Sequence, residues 1–542
     1  MKRLGALDKA FLLAESRETP MHVGGLSLYT LPEGADEEAF LASLADNMRD
    51  ARELLSPFGD RLHTGRLGLA GPAEWEPDPR LDLDYHVRHS ALPKPGRYLE
   101  LFTLVSRLHG TLLDRNRPLW EMHLIEGLRD RQFAVYTKTH HAAVDGARSI
   151  HISRAMLSAD PAARLRESPL SLDTWERYKA GLKRERRSGY SDRELRNVAE
   201  LLKQRFDSGA SLFNAVKGFA EAWTGRGGDL GMPFLRVPST SLNERIDGAR
   251  RFVAQSWPFA RIKAVATALD GTFNDAVLAI CSGALRQYMQ THDELPDESL
   301  KAMVPVSLRE AGDLESGNAV AAITADLATS EADPERRLRA IQASVRAGKA
   351  YFGAMSPAEI QLFTVMTQLP NLVLVPLGLI SKLPPYNVAI SNVPGIGETM
   401  YWNGARMDGN YPVSIVTHGM ALNITLVTYD RNVDFGIIAC RRSLPHVQRL
   451  IDYMEDALQE LEDIAGITSK PARRGVSARE RAAASKSGAR RKRASGKAGS
   501  KRPAAKKPSG KTAAKRPNAR AKARAGAAAK RKTRPKSAGR KA

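Results

Sequence analysis

Phe133-Ala134-Val135-Tyr136-Thr137-Lys138-Thr139-His140-His141-Ala142-Ala143-Val144-Asp145-Gly146 is the stretch on which the reading of this chain turns. Phe133, Val135, Thr137, Thr139 and His141 share one parity, so a β-strand puts them on one face and His140 on the other. The two neighbouring imidazoles therefore have separate jobs. Gly146 breaks the strand, and Ala147 to Leu157 continues as a helix with Asp145 near its start, where a carboxylate caps free N–H groups. The segment predicts strand, sharp turn and helix, with a histidine pair at the strand's end.

Two histidines, an aspartate and a glycine at this spacing arise by chance in roughly one chain in a thousand of this length. A neutral imidazole, with an ordinary pKa of about 6.5, accepts a hydroxyl proton near neutral pH, and such a base contributes roughly 10² to 10⁴ in rate. His141 is the candidate base, His140 its support, and Asp145 a structural residue that orients the turn. The competing reading makes both histidines ordinary core or surface residues. The motifs further along the chain decide against it.

The chain has 542 residues, of which 42% are hydrophobic, which is enough for two sizeable cores. Its net charge of +22 suggests a nucleic-acid binder until the charge is located. Residues 471–542 hold 27 Lys or Arg against the single acidic Glu480, a net of +26, which leaves −4 for everything before them. After Val476 this tail has no Leu, Ile, Val, Phe, Tyr or Trp, so it cannot build a core and is expected to be disordered. It is expected to bind anionic lipid or nucleic acid non-specifically, because it offers charge without aromatic stacking or a sequence-reading module. Cys281 and Cys440 are the only cysteines, which excludes a disulfide framework and points to a reducing compartment. No CxxC pattern or continuous apolar leader is present, and the apolar run Leu369–Ile380 is too short and proline-broken to cross a bilayer of about 30 Å as a helix.

Read in order, Leu4–Leu28 carries Leu7-Asp8 and Thr19-Pro20-Met21-His22-Val23-Gly24-Gly25, whose glycines permit close backbone approach, and then a strand. Helices are expected at 37–55 and 97–114, and a strand at 83–90. Pro118-Leu119-Trp120 opens the strand before the histidine strand. Residues 161–235 read as a charged helical connection between an N-terminal lobe, 1–160, and a C-terminal lobe, 236–465, with the tail at 466–542. In the second lobe Thr272 caps a long helix and sets Asn274 and Asp275 in its first turn, where polar groups can organise a site or simply close the cap. Residues 399–440 read as an antiparallel meander, and Leu444–Ile464 as a final helix. Strands and covering helices in both halves give an α/β (α+β) fold class with two packed lobes.

Taken together, Leu7-Asp8, Thr19-Pro20-Met21-His22, Pro118-Leu119-Trp120, the HHxxxDG motif, Asn274-Asp275 and Ser391-Asn392-Val393-Pro394-Gly395 resemble, in order and separation, the bacterial bifunctional wax ester synthase/acyl-CoA:diacylglycerol acyltransferase family over residues 1–465. HHxxxDG alone also occurs in chloramphenicol acetyltransferase-like and peptide-synthetase condensation proteins. The resemblance implies two chloramphenicol-acetyltransferase-like, CoA-dependent lobes with mixed sheets meeting at a tunnel. It implies long-chain acyl-CoA as a substrate rather than a cofactor, a long-chain alcohol or diacylglycerol as acceptor, and neither metal nor covalent acyl-enzyme. By the same resemblance Asp145 orients the motif, and Asn274 organises the site or stabilises the oxyanion. Gly146, Pro118, Leu119, Trp120, Asp275, Ser391 and Asn392 would line the substrate pocket. A cytoplasmic protein, peripheral at the inner face of the membrane or on a lipid inclusion or droplet, is expected. The alternatives are the same fold with an amine or small-alcohol acceptor, and a non-catalytic polyanion-binding protein acting through the tail.

Overall fold

The computed structural model describes residues 2–144, 146–187, 231–307, 320–353, 355, 359–360, 363, 367, 370, 374–375 and 377–467. Asp145, residues 188–230 of the expected helical connection and the tail beyond Ile467 lie outside the described residues. Two six-stranded mixed sheets form the frame, as the alternation of strands and helices predicts. The first sheet runs β12 (Tyr401–Trp402), β13 (Ala405–Val413), β2 (His22–Thr30), β7 (Gln132–His140), β6 (Trp120–Glu126), β5 (Val87–Ala91). The second runs β10 (Val320–Asp326), β9 (Lys301–Ser307), β11 (Val388–Ile396), β14 (Leu422–Tyr429), β15 (Asn432–Cys440), β8 (Arg250–Pro258). A small third sheet orders β1 (Lys2–Arg3), β4 (Ala73–Pro77) and β3 (Asp60–Thr64).

The helices cover these sheets because each carries one apolar face. In the N-terminal half they are α1 (Ala6–Ala14), α2 (Glu37–Arg49), α3 (Leu83–His86), α4 (Tyr98–His109), α5 (Gly146–Ala155) and α6 (Leu172–Arg187). In the C-terminal half they are α7 (Phe259–Ala268), α8 (Phe273–Thr291), α9 (Pro334–Gly353) and α10 (Arg449–Ile464). The core helix α8 buries Val277, Leu278, Ile280 and Leu285 against Leu450, Met454 and Leu458 of α10 and against Ile424, Leu426 and Ile437 of the second sheet. Each such side chain contributes roughly 1.5–3 kcal/mol when fully buried.

Two expectations change. Leu83–Ser90 is not a strand throughout: the Asp82 carboxylate accepts from the Tyr85 N–H at 3.2 Å and caps α3 before β5 begins at Val87. Residues 399–440 are not one meander either. β12 and β13 join the first sheet, β13 running antiparallel to β2, while β11 pairs in parallel with β14 in the second. The two sheets therefore exchange chain, and they abut where β15 passes β13. A Cβ built on Gly436 would lie 1.8 Å from the Pro412 carbonyl oxygen, so only glycine fits that crossing. The Pro394-Gly395 pair, which alone suggests a turn, lies inside β11, where a Cβ on Gly395 would stand 1.6 Å from the Thr428 carbonyl oxygen.

Candidate active site

β7 lies between β2 and β6, with His22 opposite His140 and Trp120 opposite Thr139. At the end of the strand both neighbours grip the histidine pair through the backbone. The His140 N–H donates to the Leu119 carbonyl at 3.0 Å and the His141 N–H to the Met21 carbonyl at 2.9 Å. The His140 carbonyl then accepts the Ala143 N–H at 2.9 Å, which closes the turn. Pro118-Leu119-Trp120 and Thr19-Pro20-Met21-His22 are thus brought to the histidines from opposite sides.

The two histidine side chains have different surroundings. His140 is fully buried, and its Nδ1 accepts the Ala142 N–H at 3.1 Å, which leaves the ring proton on Nε2, 3.4 Å from the Glu15 carboxylate. His141, the first residue past β7, is half-buried, its ring stacked on Phe11 with centroids 4.2 Å apart and planes 19° from parallel. Val135 and Thr137 help line a small cavity of about 30 Å³ between the two sheets, with Tyr29 from β2, Asn410 from β13 and Val427 from β14. Thr137 stands four residues before His141, about 13 Å along an extended strand. The far wall includes Met156 and Leu157, where α5 ends.

Beneath the buried face of β7 lies a layer of polar groups. Lys138 Nζ donates to the Leu108 and Thr111 carbonyls at 3.2 and 3.1 Å and contacts the Glu121 carboxylate at 3.0 Å. Burial lowers the Lys138 ammonium, with Glu121 opposing that shift. His109 donates from Nε2 to the Ser414 carbonyl at 2.9 Å and accepts from the Tyr136 hydroxyl at 2.8 Å, and burial pushes its pKa down to about 3. His22 is also held well below the usual histidine range by burial and by His109 and Lys138, so both rings are neutral at neutral pH. Among the described residues no three His, Cys, Asp or Glu side chains converge in a way that could hold a metal ion.

The remaining sequence candidates fall in three places. Leu119 and Trp120 are buried; the Trp120 indole donates to the Phe58 carbonyl at 2.7 Å and stacks on His86, so the pair holds the base of the histidine turn. Gly146 opens α5. Thr272 and Asp275 close a reciprocal capping box at 2.8 and 3.2 Å, and Asn274 sits half-buried between them in the first turn of α8. The second Asp275 oxygen is buried with no hydrogen-bond partner among the described residues. None of the cavity-lining residues comes from α8. Ser391 and Asn392 are half-buried on β11, and Gly395, later on that strand, lines the cavity. Sequence reasoning missed Phe11, Glu15 and Arg115. The one signal was proximity in sequence: Phe11 and Glu15 lie between Leu7-Asp8 and Thr19-Pro20-Met21-His22, and Arg115 lies just before Pro118-Leu119-Trp120.

Comparison with known proteins bears on this arrangement. Residues 4–277 match the wax ester synthase/diacylglycerol acyltransferase catalytic domain, and residues 316–462 match the WS/DGAT C-terminal domain. A Mycobacterium tuberculosis relative bearing the name diacylglycerol O-acyltransferase is 42% identical over 474 residues, covering 86% of this chain and 100% of the relative. The O-acyltransferase WSD of Acinetobacter baylyi is 37% identical over 465 residues, covering 86% and 98%. The solved wax ester synthase/diacylglycerol acyltransferase of Marinobacter aquaeolei superposes with a TM-score of 0.68 at 39% identity, covering 86% of this chain and 100% of that one. The starter condensation domain of rhizomide synthetase, 13% identical with a TM-score of 0.50 over 87% and 95% of the two chains, shares the fold. The chain is an acyltransferase and belongs to the wax ester synthase/diacylglycerol acyltransferase family.

Proposed function

We propose that this enzyme transfers a long-chain acyl group from coenzyme A to the hydroxyl of a long-chain alcohol or a diacylglycerol, with the His141 imidazole as general base. One observation carries the assignment to His141. Its ring is half-buried just past the end of β7, the strand whose Val135 and Thr137 line the inter-sheet cavity, whereas the adjacent His140 ring is sealed beside Glu15 with its Nδ1 taken by the Ala142 N–H. The imidazole takes the hydroxyl proton as the oxygen attacks the thioester carbonyl. The tetrahedral adduct then collapses, the C–S bond breaks, and the imidazolium returns its proton to the leaving thiolate. These steps use no metal or cofactor and pass through no acyl-enzyme.

The walls suit such substrates, since each methylene of an alkyl chain moved out of water contributes about 0.8 kcal/mol. Asp145 would orient the turn from the start of α5. Asn274 and Asp275, with Ser391 and Asn392 on β11, would organise the C-terminal wall of the site. Pro118, Leu119 and Trp120 would shape the opposite side from beneath the histidines.

Both acceptors are water-insoluble, and a peripheral position on a cytoplasmic lipid surface is part of this proposal. Exposed Leu377 (64%) and Leu383 (54%) support it. The test supplies purified protein with palmitoyl-CoA and either hexadecanol or diacylglycerol and follows free CoA and neutral lipid. Lipid product with wild type, and none with folded His141→Ala, is expected. Absence of product with every acceptor removes the substrate assignment, and unchanged turnover in His141→Ala removes the base.

A further inference from the structure

Helix α1 ends against the histidine pair, and three of its contacts converge there. Phe11 lies flat on the His141 ring. The Leu12 carbonyl accepts from Arg115 Nη2 at 2.6 Å. Glu15, the residue that follows the helix, turns a buried carboxylate inward. One of its oxygens accepts the Met21 N–H at 3.2 Å and faces His140 Nε2 at 3.4 Å; the other accepts from Arg115 Nε and Nη2 at 3.1 and 2.9 Å. Met21 in turn accepts the His141 N–H through its carbonyl. Glu15 therefore reaches the base by two routes, through the Met21 peptide and through the neighbouring ring, while Phe11 supports the base ring directly.

We infer that Glu15 and Phe11 are positioning residues for the His141 imidazole: Glu15 fixes the backbone and the His140 tautomer beneath it, and Phe11 fixes the plane of its ring. The inference rests on His141 being the base. Its physical content is geometric. A base displaced by about 1 Å from its working place loses on the order of 10²-fold in rate, and the Phe11 stack and the Glu15–Met21–His141 link both bear on that place.

The charge on Glu15 matters as much as its shape. Burial pushes its carboxyl up, but His140, Arg115 and the Met21 N–H together bring it below the ordinary carboxylate range, so it is an anion at working pH. Arg115 and His140 face it directly, with Lys138 behind. A glutamine of the same shape can offer an oxygen to Met21 but must turn its NH₂ toward a donor, either Arg115 or the His140 ring proton. The isosteric change therefore disturbs the base without opening a cavity.

The experiment compares full-length wild type, Glu15→Gln, Phe11→Leu and His141→Ala with palmitoyl-CoA and hexadecanol, reading kcat, KM for each substrate, the pH profile of kcat/KM and the melting temperature. Glu15→Gln and Phe11→Leu are expected to lower kcat by about 10- to 100-fold with KM changed by less than about 2-fold, because the loss lies in the chemical step. The limb of the profile that reports the base is expected to move to lower pH in Glu15→Gln, since imidazolium loses a nearby anion. Wild-type kcat and profile in both variants would overturn the inference. So would losses no larger than the fall in folded protein, and Phe11→Leu keeps that comparison available should Glu15→Gln fold poorly. An active His141→Ala points instead to failure of the general-base assignment.

Discussion

The carboxyl group of Asp434 on β15 accepts a hydrogen bond from the main-chain N–H of Asn410 on β13 at 2.7 Å, tying one sheet to the other beside the cavity. Its second oxygen accepts from the Ser256 hydroxyl at 2.6 Å, and Ser256 in turn contacts the Tyr411 hydroxyl at 2.9 Å. Burial pushes the carboxyl up to about 7 against the opposing effect of these two bonds. Protonation is accommodated without rebuilding, since the acid O–H can donate to Ser256 while Ser256 donates to Tyr411. The folded-state value lies above the unfolded one of about 3.9, so folding takes up a proton between them. This group's contribution to stability is full below about pH 4, declines as pH rises through the folded value and is flat above it. Asp434→Asn is expected to remove the decline. Denaturant melts from pH 4 to 8 check it: the variant should gain on wild type steadily up to about pH 7, and two parallel curves would refute the assignment.

Glu121 carries the opposite sign. Burial pushes its carboxyl up, but His123, Lys138 and Arg88 overcome that and hold it at about 2. Its stabilisation is present above the ordinary carboxylate range and is lost as pH falls toward that folded value. Glu121→Gln leaves Lys138, only 1% exposed, with two carbonyls and, among the described residues, no carboxylate in contact. A cost of roughly 3–5 kcal/mol is expected in urea unfolding. Adding Lys138→Met should recover most of it, because the penalty is a stranded charge rather than a lost attraction. Simple additivity of the two single variants would exclude that explanation.

What the sequence made legible was local. Alternation along β7 separated His140 from His141, and Thr272 with Asp275 announced the start of α8, because strand parity and helix capping depend on neighbours a few residues away. The partner of a strand is another matter. Nothing in the periodicity of Ala405–Val413 distinguishes an edge of the first sheet from one of the second, and β13 crosses over to pair with β2. Leu83–His86 looked extended because apolar and polar residues alternate there, but a single Asp82 cap was enough to start a helical turn. Glu15 and Arg115 could not be linked to the histidines from spacing, since their contacts join segments far apart in the chain. Lys138 shares the parity of Tyr136 and His140, but nothing in the spacing names Glu121 as the carboxylate it meets.

The inter-sheet cavity makes chain-length selection testable. Leu157 lies just past α5 on the cavity wall, which Val135 and Thr137 of β7 also line. Leu157→Trp adds volume there without touching β7. If the cavity holds the acyl chain, each methylene it can no longer accept loses about 0.8 kcal/mol, or roughly 4-fold in kcat/KM. The expected outcome is a lower kcat/KM for C16 acyl-CoA relative to C12 and C8, with the melting temperature within a few degrees of wild type. An unchanged order of preference would place the chain elsewhere.

The tail's charge and the enzyme's chemistry are separable because the described fold finishes before the charge begins. α10 ends at Ile464, and Ile467 packs on the core with its N–H on the Glu462 carbonyl at 2.9 Å. Residues 471–542 carry +26, whereas the rest of the chain carries −4. A chain ended at Lys470 is therefore expected to keep its melting temperature and its turnover of detergent-dispersed substrate. It should lose binding to phosphatidylserine-containing vesicles, a binding that in the full-length protein weakens steeply between 50 and 200 mM salt through screening and counter-ion release. Sedimentation with anionic and with neutral vesicles separates the contributions, since exposed leucines would hold both forms equally on neutral lipid. Equal, salt-sensitive retention of the shortened chain on anionic vesicles would move the attraction into the folded part, whose net negative charge gives no reason to expect it.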